Sequence, residues 1–123
     1  KSFQNNNPDW SLSRCRSAAS VTVADPGASE HHTGLAFDMT VPNTSMFLGT
    51  KQCTWLHQHC WEYGFILRYT DEKQQITGFA GEAWHIRYVG KEHAAIIYEM
   101  DTPLETYIAA LRAAALSQYL EEE

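Results

Sequence analysis

A chain of 123 residues, 44% hydrophobic and 20% charged, fits a single globular domain, 1–123, with one core. Its net charge of −6 argues against a nucleic-acid partner, which requires a basic face. No apolar run approaches the roughly 18 residues needed to cross a bilayer, so no membrane span is expected in this chain, and no signal-peptide pattern is present.

Lys1 to Asn7 are polar and Asn-rich, and Pro8-Asp9 reads as a break. Asp9 suits the N-cap of a short helix to about Ser17. Val21-Thr22-Val23-Ala24 has strand chemistry, and Asp25-Pro26-Gly27 ends it with a turn. Between Thr33 and Val41, Leu35, Phe37 and Met39 alternate with Gly34, Ala36 and Asp38, which predicts an extended segment. Pro42-Asn43-Thr44 interrupts it. A helix is expected from about Ser45 to Tyr63, with Cys53, Leu56, Cys60 and Tyr63 on one face and Gly64 as its stop. Phe65 to Tyr69 reads as a strand, Asp71-Glu72-Lys73 as a charged turn, and Trp84 to Val89 as a last strand. The pattern from Thr102 to Leu120 is strongly helical, with Thr102 as cap, Pro103 at the first position and Glu105 three residues after the cap. Glu121-Glu122-Glu123 is a solvated tail. Strands and helices do not alternate regularly, which favours α+β over a parallel α/β fold.

Three cysteines, Cys15, Cys53 and Cys60, are too few and too odd in number for a disulfide framework. Cys53 and Cys60 lie seven apart on the expected helix, which sets their Cα atoms about 10 Å apart, too far for a bridge. With His57 and His59 they look superficially like a second metal cluster, in which Cys53, His57 and Cys60 would share a helix face. Leu56 and Tyr63 share that face, so the cysteines read instead as core residues.

Two other clusters carry chemistry. The first is Ser29-Glu30-His31-His32-Thr33-Gly34-Leu35-Ala36-Phe37-Asp38, the second Gly81-Glu82-Ala83-Trp84-His85-Ile86-Arg87-Tyr88-Val89-Gly90. His31, Asp38 and His85 read as the ligands of one catalytic zinc ion. Two imidazoles and one carboxylate leave a tetrahedral ion one position short, the mark of a catalytic rather than a structural zinc. A bend near Gly34 would let His31 and Asp38 turn toward one point. Glu82, three residues before His85, is placed as a general base that passes its proton to the leaving amine. Each cluster alone reads better as an ordinary polar loop or a half-buried histidine; the assignment rests on the two together. His32 competes with His31 for the ligand role, and only one of two adjacent residues on an extended chain reaches a given point. His93 reads as a surface or capping residue.

The clusters resemble the zinc D-alanyl-D-alanine carboxypeptidases of bacterial cell-wall metabolism, which include the vancomycin-resistance carboxypeptidases. The family pattern Ser-x-His-x-x-Gly-x-Ala-x-Asp, then Glu-x-Trp-His, is present as Ser29, His31, Gly34, Ala36, Asp38, Glu82, Trp84 and His85. Similarity extends to Pro26-Gly27, Trp55-Leu56, Tyr63-Gly64-Phe65, Leu67-Arg68-Tyr69, Ile76-Thr77-Gly78 and Arg87-Tyr88-Val89-Gly90, roughly residues 20 to 110. Ala83 stands where the family often has Pro, and Ala80-Gly81 replaces a bulkier pair.

The resemblance implies a small antiparallel sheet with helices packed on it and the zinc site on the sheet, in the manner of Hedgehog and DD-peptidase domains. It places His31, rather than His32, on the metal, Glu82 as catalytic base, and Ser29 at the substrate. Arg87 is divided evenly between stabilising negative charge on the substrate and a structural ion pair. The implied substrate is the peptidoglycan stem peptide with a C-terminal D-alanine, and the implied location extracytoplasmic. The family's upstream Arg and Gln region, which helps bind the substrate carboxylate, is expected to be missing, with Lys1-Ser2-Phe3-Gln4 as its tail. Two other readings keep the zinc: an L,D-carboxypeptidase or wall endopeptidase, and a non-catalytic wall-binding module.

Overall fold

Three short strands position everything else: β1 (Ala36–Asp38), β2 (Phe65–Leu67) and β3 (His85–Tyr88). β3 lies in the middle and is antiparallel to both neighbours, giving the order β1-β3-β2. The computed structural model describes residue 9, residues 11–21, residue 24 and residues 27–122. Within them run the helices α1 (Leu12–Ser20), α2 (Lys51–His59), α3 (Gln74–Thr77), α4 (Lys91–Met100) and α5 (Leu104–Glu121). Single 3-10 turns occupy Glu30–Thr33, Cys60–Tyr63 and Asp71–Lys73. The architecture is the α+β fold with a small antiparallel sheet that the resemblance implies.

Several boundaries differ from the sequence expectation, each for a local reason. α1 is capped by Ser11, whose Oγ accepts from the Arg14 amide at 3.2 Å, rather than by Asp9. Val21 closes α1 in helical conformation, and residues 22, 23, 25 and 26 lie outside the described residues, so most of the expected strand and turn at 21–27 does too. α2 starts at Lys51 instead of Ser45. Thr44 Oγ1 takes the Met46 amide into a local turn at 3.2 Å, a bond that competes with helix formation. Thr50 is the working cap, its Oγ1 accepting from the Cys53 amide at 3.0 Å. After His59 the helix tightens to 3-10 and ends at Gly64. That tightening changes the period from 3.6 to 3. Cys53 and Cys60 are buried as expected, whereas Tyr63 rotates out of their face and is exposed.

α4 has no counterpart in the expected elements. Its cap, Gly90, offers no side chain, and its end is Asp101 at φ 50, a left-handed position usually signalled by glycine. His93 sits inside it, its Nδ1 2.7 Å from the Tyr107 hydroxyl. The capping box expected at the start of α5 does not form. Glu105 is drawn away to Arg68, which it grips with both oxygens at 2.7 and 2.9 Å, and Pro103 takes the cap position without a side-chain bond.

The core is Ile66 of β2 packed with Ala94 and Ile97 of α4 and Leu104 and Tyr107 of α5, flanked by Trp61 and Val89. Each buried Ile or Leu contributes about 1.5–3 kcal/mol. The helices thereby clamp the β2 side of the sheet and fix β3, on which the site is built. All three cysteines are buried and free, so Cys53 and Cys60 form no bridge. Among the described residues, no helix is long and apolar enough to cross a membrane.

Candidate metal centre

Strand register makes the first half of the site. Asp38 of β1 pairs directly with His85 of β3, and opposed residues of an antiparallel pair project from the same face. Arg87, two residues on, shares that face. His31 arrives from the 3-10 turn Glu30–Thr33, not from an extended strand. Ser29 Oγ accepts the His31 amide at 3.3 Å at the start of this turn. Gly34 closes it at φ 74, a conformation a Cβ disfavours. The chain then pairs with β3 through the Tyr88 amide, which donates to the Leu35 carbonyl at 2.8 Å.

The result is convergent. Donor atoms of His31, Asp38 and His85 all lie within 4.8 Å of one another, and among the described residues this is the group with metal-holding geometry. His31 Nε2 is 3.1 Å from Asp38 Oδ1, and His85 Nδ1 is 3.4 Å from the same oxygen. Glu82 Oε2 lies 3.2 Å from His85 Nδ1, so its carboxylate faces the same point. The loop bearing Glu82 is held on three sides. The Glu82 amide donates to the Tyr69 carbonyl at 3.0 Å, and the Gly81 amide to Asp71 Oδ1 at 2.8 Å. His57 Nε2 donates to the Ala83 carbonyl at 2.8 Å. Gly81 is required by this packing: a Cβ there would lie 2.7 Å from Asp71 Oδ1 and 2.8 Å from the Asp71 nitrogen. An open cleft of about 360 Å³ lined by Ser29, His31, Asp38, Tyr69, Glu82 and His85 gives the group access to solvent. The donor set, two nitrogens and a carboxylate oxygen, suits zinc, with Glu82 beside it and room for a further ligand.

The remaining predicted residues fall elsewhere. His32, next along the turn, faces the neighbouring depression with Arg68 and Arg87 rather than the cleft. Arg87 donates from Nη1 to Glu30 at 3.0 Å and from Nε to the Tyr88 carbonyl at 3.2 Å, the geometry of its ion-pair alternative. The Cys53, His57 and Cys60 trio forms no metal group among the described residues. His57 is engaged with Ala83, and burial pushes the Cys60 thiol up to about 11, far from the thiolate a metal needs.

Sequence spacing assigns no role to Glu30. Its carboxylate is buried beneath His31, accepting from His85 Nε2 at 3.0 Å, Arg68 Nε at 2.7 Å and Arg87 Nη1 at 3.0 Å. These contacts span 38 to 57 residues, and no local spacing announces them. The one available hint is a Glu adjoining a candidate ligand in a chain whose later strands each carry an Arg.

A family model described as D-alanyl-D-alanine carboxypeptidase (VanY) matches residues 4–91. The chain belongs to this carboxypeptidase family. The D-alanyl-D-alanine carboxypeptidase of Enterococcus faecium is 43% identical over 86 residues, 70% of this chain and 28% of the relative. A vancomycin-resistance D,D-pentapeptidase of the VanY type, solved as a point mutant in complex with Zn(II), superposes with a TM-score of 0.76 at 37% identity, covering 85% of this chain and 58% of that one. The LdcB LD-carboxypeptidase superposes at 0.68 with 40% identity, covering 75% and 45%. The chain spans about a third of the length of the curated relatives it matches.

Electrostatics in this VanY-family site would couple the binding of a metal to the loss of a proton. Burial alone would raise the Glu30 carboxyl, but hydrogen bonds from His85 and Arg68 and the charges of Arg68 and Arg87 hold it down to about 2. Burial alone would lower His85; hydrogen bonds to the Glu30 and Glu82 carboxylates overcome it and push the ring up to about 9. A metal requires the neutral ring. The folded value of His85 exceeds its ordinary 6.5, so its stabilisation of the metal-free fold is complete below pH 6.5 and lost as pH rises through about 9. Chelator-treated protein should therefore melt at progressively lower temperature from pH 6.5 to 9. Apparent metal affinity should rise over the same range by about tenfold per pH unit, for one displaced proton. Melting curves and metal titrations in matched buffers check both; a flat pair of profiles contradicts the coupling.

Proposed function

We propose that this chain is a zinc-dependent carboxypeptidase domain that removes the C-terminal D-alanine from peptidoglycan stem peptides, outside the cytoplasm. The convergence of His31, Asp38 and His85, with the Glu82 carboxylate turned to the same point, carries this reading. His31, Asp38 and His85 would hold the ion, which supplies Lewis acidity toward the scissile carbonyl when bound. Glu82 takes the proton of the attacking water at its carboxylate and returns it to the amide nitrogen as the C–N bond breaks, so D-alanine leaves as a neutral amine. Among the described residues Ser29 Oγ is met by the His31 amide, an acceptor role that leaves its hydroxyl hydrogen for the substrate. Tyr69, held protonated by burial with a value pushed up to about 12, lines the same cleft with its ring against His85. Arg87 acts through Glu30 rather than on substrate.

The 40% identity to the LdcB LD-carboxypeptidase favours one second reading, removal of the terminal D-alanine from a tetrapeptide across an L,D bond. A base in place argues against a purely structural zinc, which prefers four protein ligands. Purified protein incubated with penta- and tetrapeptide stems, with and without chelator, separates these. The proposal expects D-alanine from the pentapeptide, lost with chelator and restored by zinc. Release from the tetrapeptide alone transfers the assignment to the L,D reading. Stoichiometric zinc with release from neither peptide refutes a hydrolase.

A further inference from the structure

We propose that Glu30 is a positioning residue that fixes which nitrogen of His85 faces the metal, and that Arg68 and Arg87 hold Glu30 in place. The inference rests on the reading of His31, Asp38 and His85 as ligands. A histidine ligand must present a lone pair, and the partner of its other nitrogen decides which one. His31 and His85 solve this in different ways. His31 Nδ1 lies 3.2 Å from the Ala36 carbonyl, which only accepts, so Nδ1–H donates there and Nε2 is left toward Asp38. Among the described residues His85 has no backbone acceptor at its outer nitrogen. Its Nε2 lies 3.0 Å from Glu30 Oε1, and Glu30 is ringed by two guanidinium donors, so it too only accepts. Nε2–H therefore donates to Glu30, which leaves Nδ1, facing Asp38 and Glu82, as the nitrogen that gives up its proton and offers a lone pair to an ion.

The supporting frame is long-range. Arg68 is gripped on its far side by Glu105 of α5, at 2.7 and 2.9 Å. Arg87 is fixed at its root by the Tyr88 carbonyl. Glu30, with its side chain 8% exposed, is thus tied to β3 and to the residue after β2, and through Arg68 to α5. The same turn that delivers His31 to the cleft delivers Glu30 beneath it, so the two adjacent residues set up both imidazoles.

Two measurements test this. In zinc-loaded wild-type protein, nitrogen NMR of the imidazoles should show His85 metallated at Nδ1 and protonated at Nε2, and His31 the reverse; His85 ligating through Nε2 would overturn the proposal without any variant. Second, zinc affinity by chelator competition, read together with the visible spectrum of the cobalt-substituted protein, is compared for Glu30→Gln and Glu105→Gln. The expected loss for Glu30→Gln is 10–100-fold, on the order seen when a ligand's outer partner is removed, with an altered cobalt spectrum. Glu105→Gln loosens Arg68 at one remove from His85 and should cost a smaller part of that loss, with the cobalt spectrum unchanged. Equal affinity in wild type and Glu30→Gln, or equal losses in both variants, overturns the positioning role while leaving the metal reading intact. Failure of the wild type to bind zinc overturns both.

Discussion

Glu82→Gln should retain stoichiometric zinc while D-alanine release falls by about 10²–10⁴-fold, the range a positioned general base contributes. The amide is close in shape to the carboxylate and can keep the loop's packing, but it cannot take a proton from water. The loop itself does not depend on the charge. It is held by the Glu82 amide on Tyr69, the Gly81 amide on Asp71 and His57 on the Ala83 carbonyl. Metal content and melting temperature should therefore stay near wild type, and the loss should appear in kcat more than in KM. Turnover within a few-fold of wild type would remove Glu82 from the mechanism. A parallel loss of zinc would instead make Glu82 a ligand.

Asp38→Ala should abolish metal binding and turnover together while leaving the fold standing. Asp38 bridges the two imidazoles, at 3.1 Å from His31 and 3.4 Å from His85, yet its side chain is 49% exposed. Truncating it removes a proposed ligand without opening a core cavity, unlike any change at His85, whose side chain is 4% exposed. Zinc at 100 times its dissociation constant should stabilise the wild-type fold by about 2.7 kcal/mol. For a domain of this size that corresponds to a rise of roughly 10 °C in Tm. The zinc-induced rise should vanish in Asp38→Ala, with the metal-free Tm little changed. Persistence of the rise would mean the ion binds elsewhere.

The sequence was most legible where chemistry is local. The seven-residue spacing of His31 and Asp38, the three-residue spacing of Glu82 and His85, and the long apolar pattern of α5 all mark real features of the structure. Legibility failed where a tertiary partner outbid a local one. Glu105 had the spacing of a capping residue, but a buried guanidinium offers it two charge-assisted bonds in place of one weak cap. α4 was hidden because its ends lack the usual signals, a cap side chain at Gly90 and a glycine stop at Asp101. His31 was expected on a bent strand. The Ser29 cap and the Thr33 side chain, which donates to the Glu30 carbonyl at 2.7 Å, wind that stretch into a 3-10 turn instead. The turn matters for the site, since it sends Glu30 and His31 to different levels. Glu30 was the least legible of all, because its partners belong to β3 and to the residue after β2, far along the chain.

X-ray absorption at the zinc edge of the reconstituted protein tests the central claim most directly. Coordination by His31, Asp38 and His85 predicts a shell of nitrogen and oxygen at about 2.0–2.2 Å, with the outer scattering of two imidazoles and no sulfur. A sulfur shell near 2.3 Å would place the ion on the cysteines and contradict the account.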